Sequence, residues 1–568
     1  MDRKRIIALL LLCYALLAVL RLTAPYDIDD RDQAKQGLYV LDVVQGVSFF
    51  LPTEHGAKPA TKPSLYTWAA AGVSLMRGDV TDFTIKLPAV LCGFAVVIVT
   101  FLLGETLFSK EVGLFAGLVL ILNYHFTNLS CTARTDMMLT LFISLALYFF
   151  LVAYRQGGQK SVYNILVFVA MGLGSITKGP VAFLVPVLAI LTFLAFKRDL
   201  KRLRSMQLGW GMLIWMAIML GWFIPAIIEG GQRFWETVIR DEMVNRVFAI
   251  GTRAGKTRPF YYLVGHFLGK FLPWSLVVPL ALIRYGKSRN AEEKGRLLFP
   301  VVWFLTVLVF FSLSKGKRSD YILPLYPAAS LIVAHFWVSL IGRDEDGRWR
   351  FSLRALSLIY LVVSFVGAAG LLMFLSGQQL PRALVRIAPE SAERIELLQS
   401  AINSRAYLLL ATAIPFATVS ILGVVLAVRR NLKALLVVML AATGLSLSLY
   451  FEVLSPEATR MDGERKRAFC ATVKGMIDAT EDLEFYNVDN SILFYMGKNV
   501  QPLNHDEATQ FLRVTGTPYL ITAEADYRAL GEPPDFPFPI LVESDYLVKT
   551  KGGKTVRYVL LGKKKFDN

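Results

Sequence analysis

The amino-acid sequence predicts a polytopic α-helical membrane protein with a small soluble α/β domain at its C-terminal end. Three observations lead there. Apolar runs of roughly 17 to 23 residues recur along most of the chain, each long enough to cross a hydrocarbon core. The basic residues gather in alternate short loops, as they do in multi-pass proteins. From about Glu452 the pattern changes to short β-rich runs bounded by turn residues. Of the 568 residues, 55% are hydrophobic and 18% charged, which excludes both an ordinary soluble protein and a disordered chain.

The runs number about thirteen, near 6–22, 87–107, 112–130, 135–154, 162–177, 180–196, 209–229, 269–284, 298–314, 321–341, 355–375, 406–428 and 434–451. The first reads as a span rather than a cleavable signal. It is long, Arg21 closes it, and no small-x-small pattern precedes Pro25. With Arg3, Lys4 and Arg5 inside, the inner loops hold Lys197 to Arg204, Arg284 to Arg296, Arg343 to Arg354 and Arg429 to Lys433. The net charge of +17 is therefore mostly topology, and nucleic acid is not an expected partner. An odd number of spans puts the C-terminus outside. The four cysteines are scattered, without metal-type spacing or a disulfide framework.

The expected division is a transmembrane part, 1–451, with external loops at 24–86 and 230–268, and a soluble domain, 452–568. The first loop opens with Asp27, Asp29, Asp30 and Asp32. Such a cluster can simply cap a helix and stay solvated. Asp30 followed by Gln33 resembles a capping box, which leaves Asp29 or Asp27 for chemistry. Ala34, Leu38 and Leu41 follow at helical spacing, giving an amphipathic helix suited to the membrane interface. Pro63 fits a first helical position, so Lys62 would stand at a helix N-terminus, where anions are favoured.

Further on, Arg134-Thr135-Asp136 and Thr177-Lys178-Gly179-Pro180 form polar external turns, whose charges could also be snorkelling groups at helix ends. The loop 230–268 carries Arg240, Asp241, Glu242 and Arg246, then the basic run Arg253 to Arg258. Between two later spans stands Ser314-Lys315-Gly316-Lys317-Arg318-Ser319-Asp320-Tyr321. Three cations in so short an outer turn oppose the general bias; an anionic ligand explains them best. Beyond Glu452, strands are expected at 483–488, 518–522, 538–542, 545–550 and 555–561, with helices near 463–478 and 505–514 and a hairpin turn at Lys551-Gly552-Gly553-Lys554.

These motifs together resemble the bacterial members of the protein O-mannosyltransferase superfamily, most closely the lipid A aminoarabinose transferase branch. Asp29-Asp30 with Ala34 is similar to the family's acidic pair in its first external loop. Lys62-Pro63-Ser64-Leu65 through Trp68 is similar to its Lys-Pro-Pro-Leu and downstream Trp. Asp136 falls in a similar turn, and Thr177 to Pro180 closely resembles a Thr-Lys-Gly-Pro motif. Ser314 to Pro324 is the most specific match, supported by Pro259-Phe260 and Leu272-Pro273-Trp274.

The resemblance implies the GT-C glycosyltransferase fold and the bacterial inner membrane. It implies a polyprenyl phosphate-linked sugar donor, and a lipid or glycan acceptor reached from the periplasmic face. Asp29 and Asp30 then become the catalytic candidates. Lys62, Asp136, Lys178, Arg246, Lys315, Lys317 and Tyr321 become candidates for substrate binding. Asp29 serves as general base if the acceptor is a hydroxyl, or orients acceptor or sugar if it is a phosphate. The sequence departs from the family at two points: Thr61 replaces a Glu, and Gly251 to Lys256 lacks a His. No zinc or other cofactor is therefore expected. The rival class is a lipid flippase or transporter, since intramembrane charges also mark transport paths. Charges confined to one face and the absence of a visible repeat speak against it.

Overall fold

The structure, a computed structural model, describes residues 1–23, 28, 31–157, 161–245, 258–314, 316–341, 347–375, 406–429, 431–451, 464–477, 482–511, 519–530, 540–544, 548–549 and 555–562. Asp29, Asp30, Arg246 and Lys315 lie outside the described residues. The chain divides into two compact units. One comprises Met1–Thr23, Thr61–Leu65 and Pro88–Leu454; the other comprises Ala24–Ala60, Tyr66–Leu87 and Ser455–Asn568. Chain order hid this second grouping, in which much of the first external loop packs with the C-terminal residues.

Among the described residues, eight helices are long and apolar enough to cross a membrane, among them Arg3–Thr23, Thr135–Arg155, Ala291–Leu313 and Leu432–Leu449. A ninth results if Lys110–Ile121 and Tyr124–Ser130, bent by 72°, form one span. Thirteen runs were expected, and three of them take a different form among the described residues. The runs near 162–177 and 180–196 fold as helices of 17 and 16 residues, Val162–Lys178 and Val181–Phe196, a few residues shorter than the ~20 of a typical span. The run near 269–284 is interrupted. Tyr262–Lys270, a 3-10 turn at Trp274–Leu276 and Val277–Lys287 replace one helix, because Pro273 lacks the N–H that a continuous helix needs.

Two features show how these helices live in lipid. On Leu208–Phe234 only Gly211, Trp222, Ala226 and Phe234 are buried. Trp210, Leu213, Met216, Leu220, Ile224 and Ile228 stand exposed, a surface that water would not tolerate and hydrocarbon does. At Gly104 the chain of the next helix comes so close that an added Cβ would lie 2.5 Å from Gly113 Cα. Small residues that let backbones approach this closely are the usual source of helix association in membranes.

The second unit has its own polar core. Strands β1 (Thr53–Glu54) and β2 (Lys58–Pro59) pair antiparallel. The helix Arg31–Val44 is expected to be amphipathic and to lie at the membrane interface. It is not an interfacial helix, however: nine of its fourteen residues are buried, and the buried amide of Gln36 donates to Thr67 Oγ1 at 2.7 Å. Its apolar stripe packs on protein, against the helix Asn490–Met496. Glu54, only 2% exposed, accepts from Asn490 Nδ2 at 2.9 Å and faces Lys35 Nζ at 2.8 Å. Arg31 and Lys58 approach it at 3.5 and 3.9 Å. Asp42 is held by Asn499 Nδ2 at 2.5 Å and by Thr53, whose N–H and hydroxyl donate at 2.7 and 2.6 Å.

The C-terminal residues form a four-stranded sheet in the order β3-β4-β8-β5, from β3 (Leu483–Phe485), β4 (Tyr519–Ala523), β5 (Ile540–Glu543) and β8 (Tyr558–Leu561). β3 runs parallel to β4, while β8 is antiparallel to both β4 and β5. β6 (Val548–Lys549) and β7 (Thr555–Val556) pair antiparallel, flanking the expected hairpin turn at 551–554, which lies outside the described residues. Every residue of β4 and β8 is buried, as alternation-free apolar strands require.

Candidate functional site

The described candidate residues of the first unit converge on helix ends. Val162–Lys178 stops at Gly179, which adopts φ 85°, a conformation that glycine alone takes without strain. Pro180 then leads into the next helix. Lys178 is thus the last helical residue, where the carbonyl end of the helix favours a cation. Asp136 sits in the first turn of Thr135–Arg155, where a carboxylate is favoured for the opposite reason. The two meet, Lys178 Nζ lying 2.5 Å from Asp136 Oδ1. The ring of Tyr321 stands 5.2 Å from the same ammonium and packs on Phe311 at 5.3 Å.

Beside Tyr321, at the start of the 3-10 turn Ser319–Leu325, Asp320 gathers a second set of partners. Arg134 Nη1 donates to its Oδ2 at 2.5 Å, and the hydroxyl of Ser319 to Oδ1 at 3.2 Å. His125 Nε2, Lys270 Nζ and Arg318 Nη2 stand at 3.6, 3.8 and 4.0 Å. Lys270 also donates to Ser319 Oγ at 2.8 Å. Lys317 is buried and donates to the Arg258 carbonyl at 2.9 Å. Five cationic side chains (Arg134, Lys178, Lys270, Lys317 and Arg318) therefore accompany two carboxylates. The imbalance favours an anion, and charge-assisted hydrogen bonds from such groups are the strong ones.

Of the residues singled out in the sequence, Asp136, Lys178 and Tyr321 are brought together, with Lys317 four residues before Tyr321. Lys62 is half-buried in the segment Thr61–Leu65 of the same unit. Pro63 is not a first helical residue: the helix begins at Leu65, two residues later, so Lys62 stands ahead of the helix rather than on its first turn. His125 and Lys270 were not singled out, and Asp320 was named only as part of the run Ser314 to Tyr321. The first two border or enter apolar runs, and only the mismatch of a charge with its surroundings could have flagged them.

Among the described residues, no group of three or more His, Cys, Asp or Glu is placed to hold a metal ion. Thr61 supplies only a hydroxyl where the family has a carboxylate.

Residues 61–228 match the family described as dolichyl-phosphate-mannose-protein mannosyltransferase, a stretch that contains Lys62, Arg134, Asp136 and Lys178. An undecaprenyl phosphate-α-4-amino-4-deoxy-L-arabinose arabinosyl transferase of Pseudomonas fluorescens is 27% identical over 380 residues, 66% of each chain. The corresponding protein of Erwinia tasmaniensis is 30% identical over 246 residues, 43% of this chain and 42% of that one. The crystal structure of ArnT from Cupriavidus metallidurans bound to undecaprenyl phosphate superposes with a TM-score of 0.74 at 17% identity, covering 98% of both chains. The chain has the fold of that structure, and its sequence is similar to these transferases over part of its length. Its sequence match spans between about two fifths and two thirds of these curated relatives, whereas the fold extends over the whole length.

Proposed function

We propose that this chain is an inner-membrane glycosyltransferase. It moves a sugar from a polyprenyl phosphate-linked donor to lipid A, lipopolysaccharide or another envelope acceptor at the periplasmic face. The observation that carries this reading is the excess of cations held at helix ends around Asp136 and Asp320. In the transfer, the bond from the sugar C1 to the donor phosphate oxygen breaks and a bond from C1 to an acceptor oxygen forms. The electron pair stays with the departing polyprenyl phosphate, whose growing charge needs fixed positive partners. Preorganised cations supply that stabilisation without reorganising during the reaction. Lys178 and Arg134, tied to carboxylates, are held in place; Lys62, Lys317, Arg246 and Lys315 complete the proposed set.

Asp29 takes the acceptor proton if the acceptor is a hydroxyl, which hardly ionises at neutral pH without a base, with Asp30 beside it. A phosphate acceptor, whose second pKa is near ~6, needs no base, and Asp29 then orients the reactants. The names of the relatives support the donor class, and the cation-rich cluster supports its phosphate.

The test is transfer by the full chain in proteoliposomes, with undecaprenyl phosphate-linked aminoarabinose as donor and extracted lipopolysaccharide as acceptor. Sugar recovered in the acceptor, with free polyprenyl phosphate released, is the expected result. Movement of the donor lipid between leaflets without transfer would overturn the reading in favour of a flippase.

A further inference from the structure

The cluster poses a problem that its own geometry answers. A phosphate bound by several cations at once is bound tightly, and in the proposed reaction the spent polyprenyl phosphate must leave before another donor enters. Asp320 offers a solution. Its carboxylate has the charge sign of a phosphate oxygen pair and already draws on the donors that a phosphate would use. These are Arg134 Nη1 at 2.5 Å, Ser319 Oγ at 3.2 Å, and Lys270 and Arg318 at 3.8 and 4.0 Å. The side chain is 13% exposed, and Arg318 is 42% exposed. The carboxylate is thus enclosed enough to hold its partners and open enough to trade them. Asp136 is held differently, by Lys178 Nζ at 2.5 Å from its Oδ1.

We propose that Asp320 is an internal counter-ion that competes with the lipid phosphate for Arg134, Lys270 and Arg318, weakening ground-state binding so that the product can leave. It is a positioning residue, acting on substrate only through its cations. This rests on the glycosyltransferase reading above and adds a role for a residue within it. Two consequences oppose each other in sign. A carboxylate whose only task is to fix Arg134 would, when neutralised, loosen the cations and weaken phosphate binding. A competing carboxylate, when neutralised, releases them to the phosphate and strengthens it. A hydrogen bond to a charged group contributes about 1.5–3 kcal/mol, and tenfold in affinity corresponds to ~1.4 kcal/mol. The freed cations should therefore change affinity by about tenfold or more.

The experiment measures binding of undecaprenyl phosphate to the full chain in detergent, beside steady-state transfer with added undecaprenyl phosphate as inhibitor. Asp320→Asn should bind undecaprenyl phosphate about tenfold tighter than wild type, with lower kcat, lower KM and stronger product inhibition. Asp320→Glu, which restores the charge, should return affinity and kcat toward wild type. If the unbalanced cations keep Asp320→Asn from folding, the double variant Asp320→Asn with Arg318→Gln restores the charge count and should bind at least as tightly as wild type. Weaker or unchanged binding in the folded variant overturns the competing role. Failure of the wild type itself to bind undecaprenyl phosphate overturns instead the reading on which this proposal rests.

Discussion

Glu54 gives the second unit a stability that depends on pH in a direction fixed by its surroundings. Burial alone pushes this carboxyl up, but Lys35, the Asn490 amide and Lys58 outweigh burial and bring it down to about 2 from 4.5. A folded-state value below the unfolded one means that the unfolded chain binds the proton more readily. The contribution is therefore complete above about pH 4.5 and is lost as the pH falls toward 2. At 1.36 kcal/mol per unit, the shift corresponds to about 3 kcal/mol, similar to the cost of removing one member of a buried pair. Glu54→Gln keeps the shape and removes the charge. Urea unfolding of the detergent-solubilised protein, followed by tryptophan fluorescence between pH 7 and pH 3, should show the variant less stable by about 3 kcal/mol at neutral pH. The difference between wild type and variant should shrink steadily below pH 4.5. A difference that stays constant down to pH 3 would refute the ion pair as its source, and no difference at pH 7 would refute the network itself.

Three further outcomes are expected. Lys62→Ala should lower transfer on the order of 10²-fold by removing charge stabilisation, and Asp29→Asn by ~10²–10⁴-fold if it is the base; wild-type transfer by Asp29→Asn would pass the role to Asp30 or Asp27. A phosphatase fused after residue 568 should be active and a cytoplasmic reporter silent if, as expected from the sequence, an odd span count with positive-inside loops places residues 452–568 in the periplasm; the reverse would sink the placement of every external motif. Purified protein should carry less than stoichiometric zinc and retain transfer in chelator, whereas zinc-dependent loss and recovery would show that ligands lie outside the residues considered.

The helices and the polar turns were legible in the sequence because each rests on local information: apolar length, Gly179-Pro180 as a stop, cations set against the charge bias. Pairings were not. Nothing in the sequence ties Lys178 to Asp136, or Arg134 to Asp320 across 186 residues, because an ion pair leaves no mark on either neighbourhood. The helix Arg31–Val44 shows a different limit. Its apolar stripe is the same whether lipid or protein covers it, and only its buried glutamines, satisfied by partners such as Thr67, reveal which. The run 269–284 misled by composition, since Pro273 counts little against hydropathy yet breaks the helix.

The second unit is assembled from segments that the ribosome delivers far apart in time. Its first parts end at Leu87 and its last begins at Ser455, about 370 residues later, or roughly 20–70 s of synthesis at ~5–20 residues per second. Asp42, Glu54 and His55 bond to Asn499 and Asn490, so these early residues are made long before their partners exist. Closure of this unit thereby waits until residues beyond Ser455 have been made. A chain cut short near 451 would carry the helices of the first unit but leave Asp42 and His55 without the asparagines that complete them. A cell could tell finished molecules from truncated ones by whether this unit has closed.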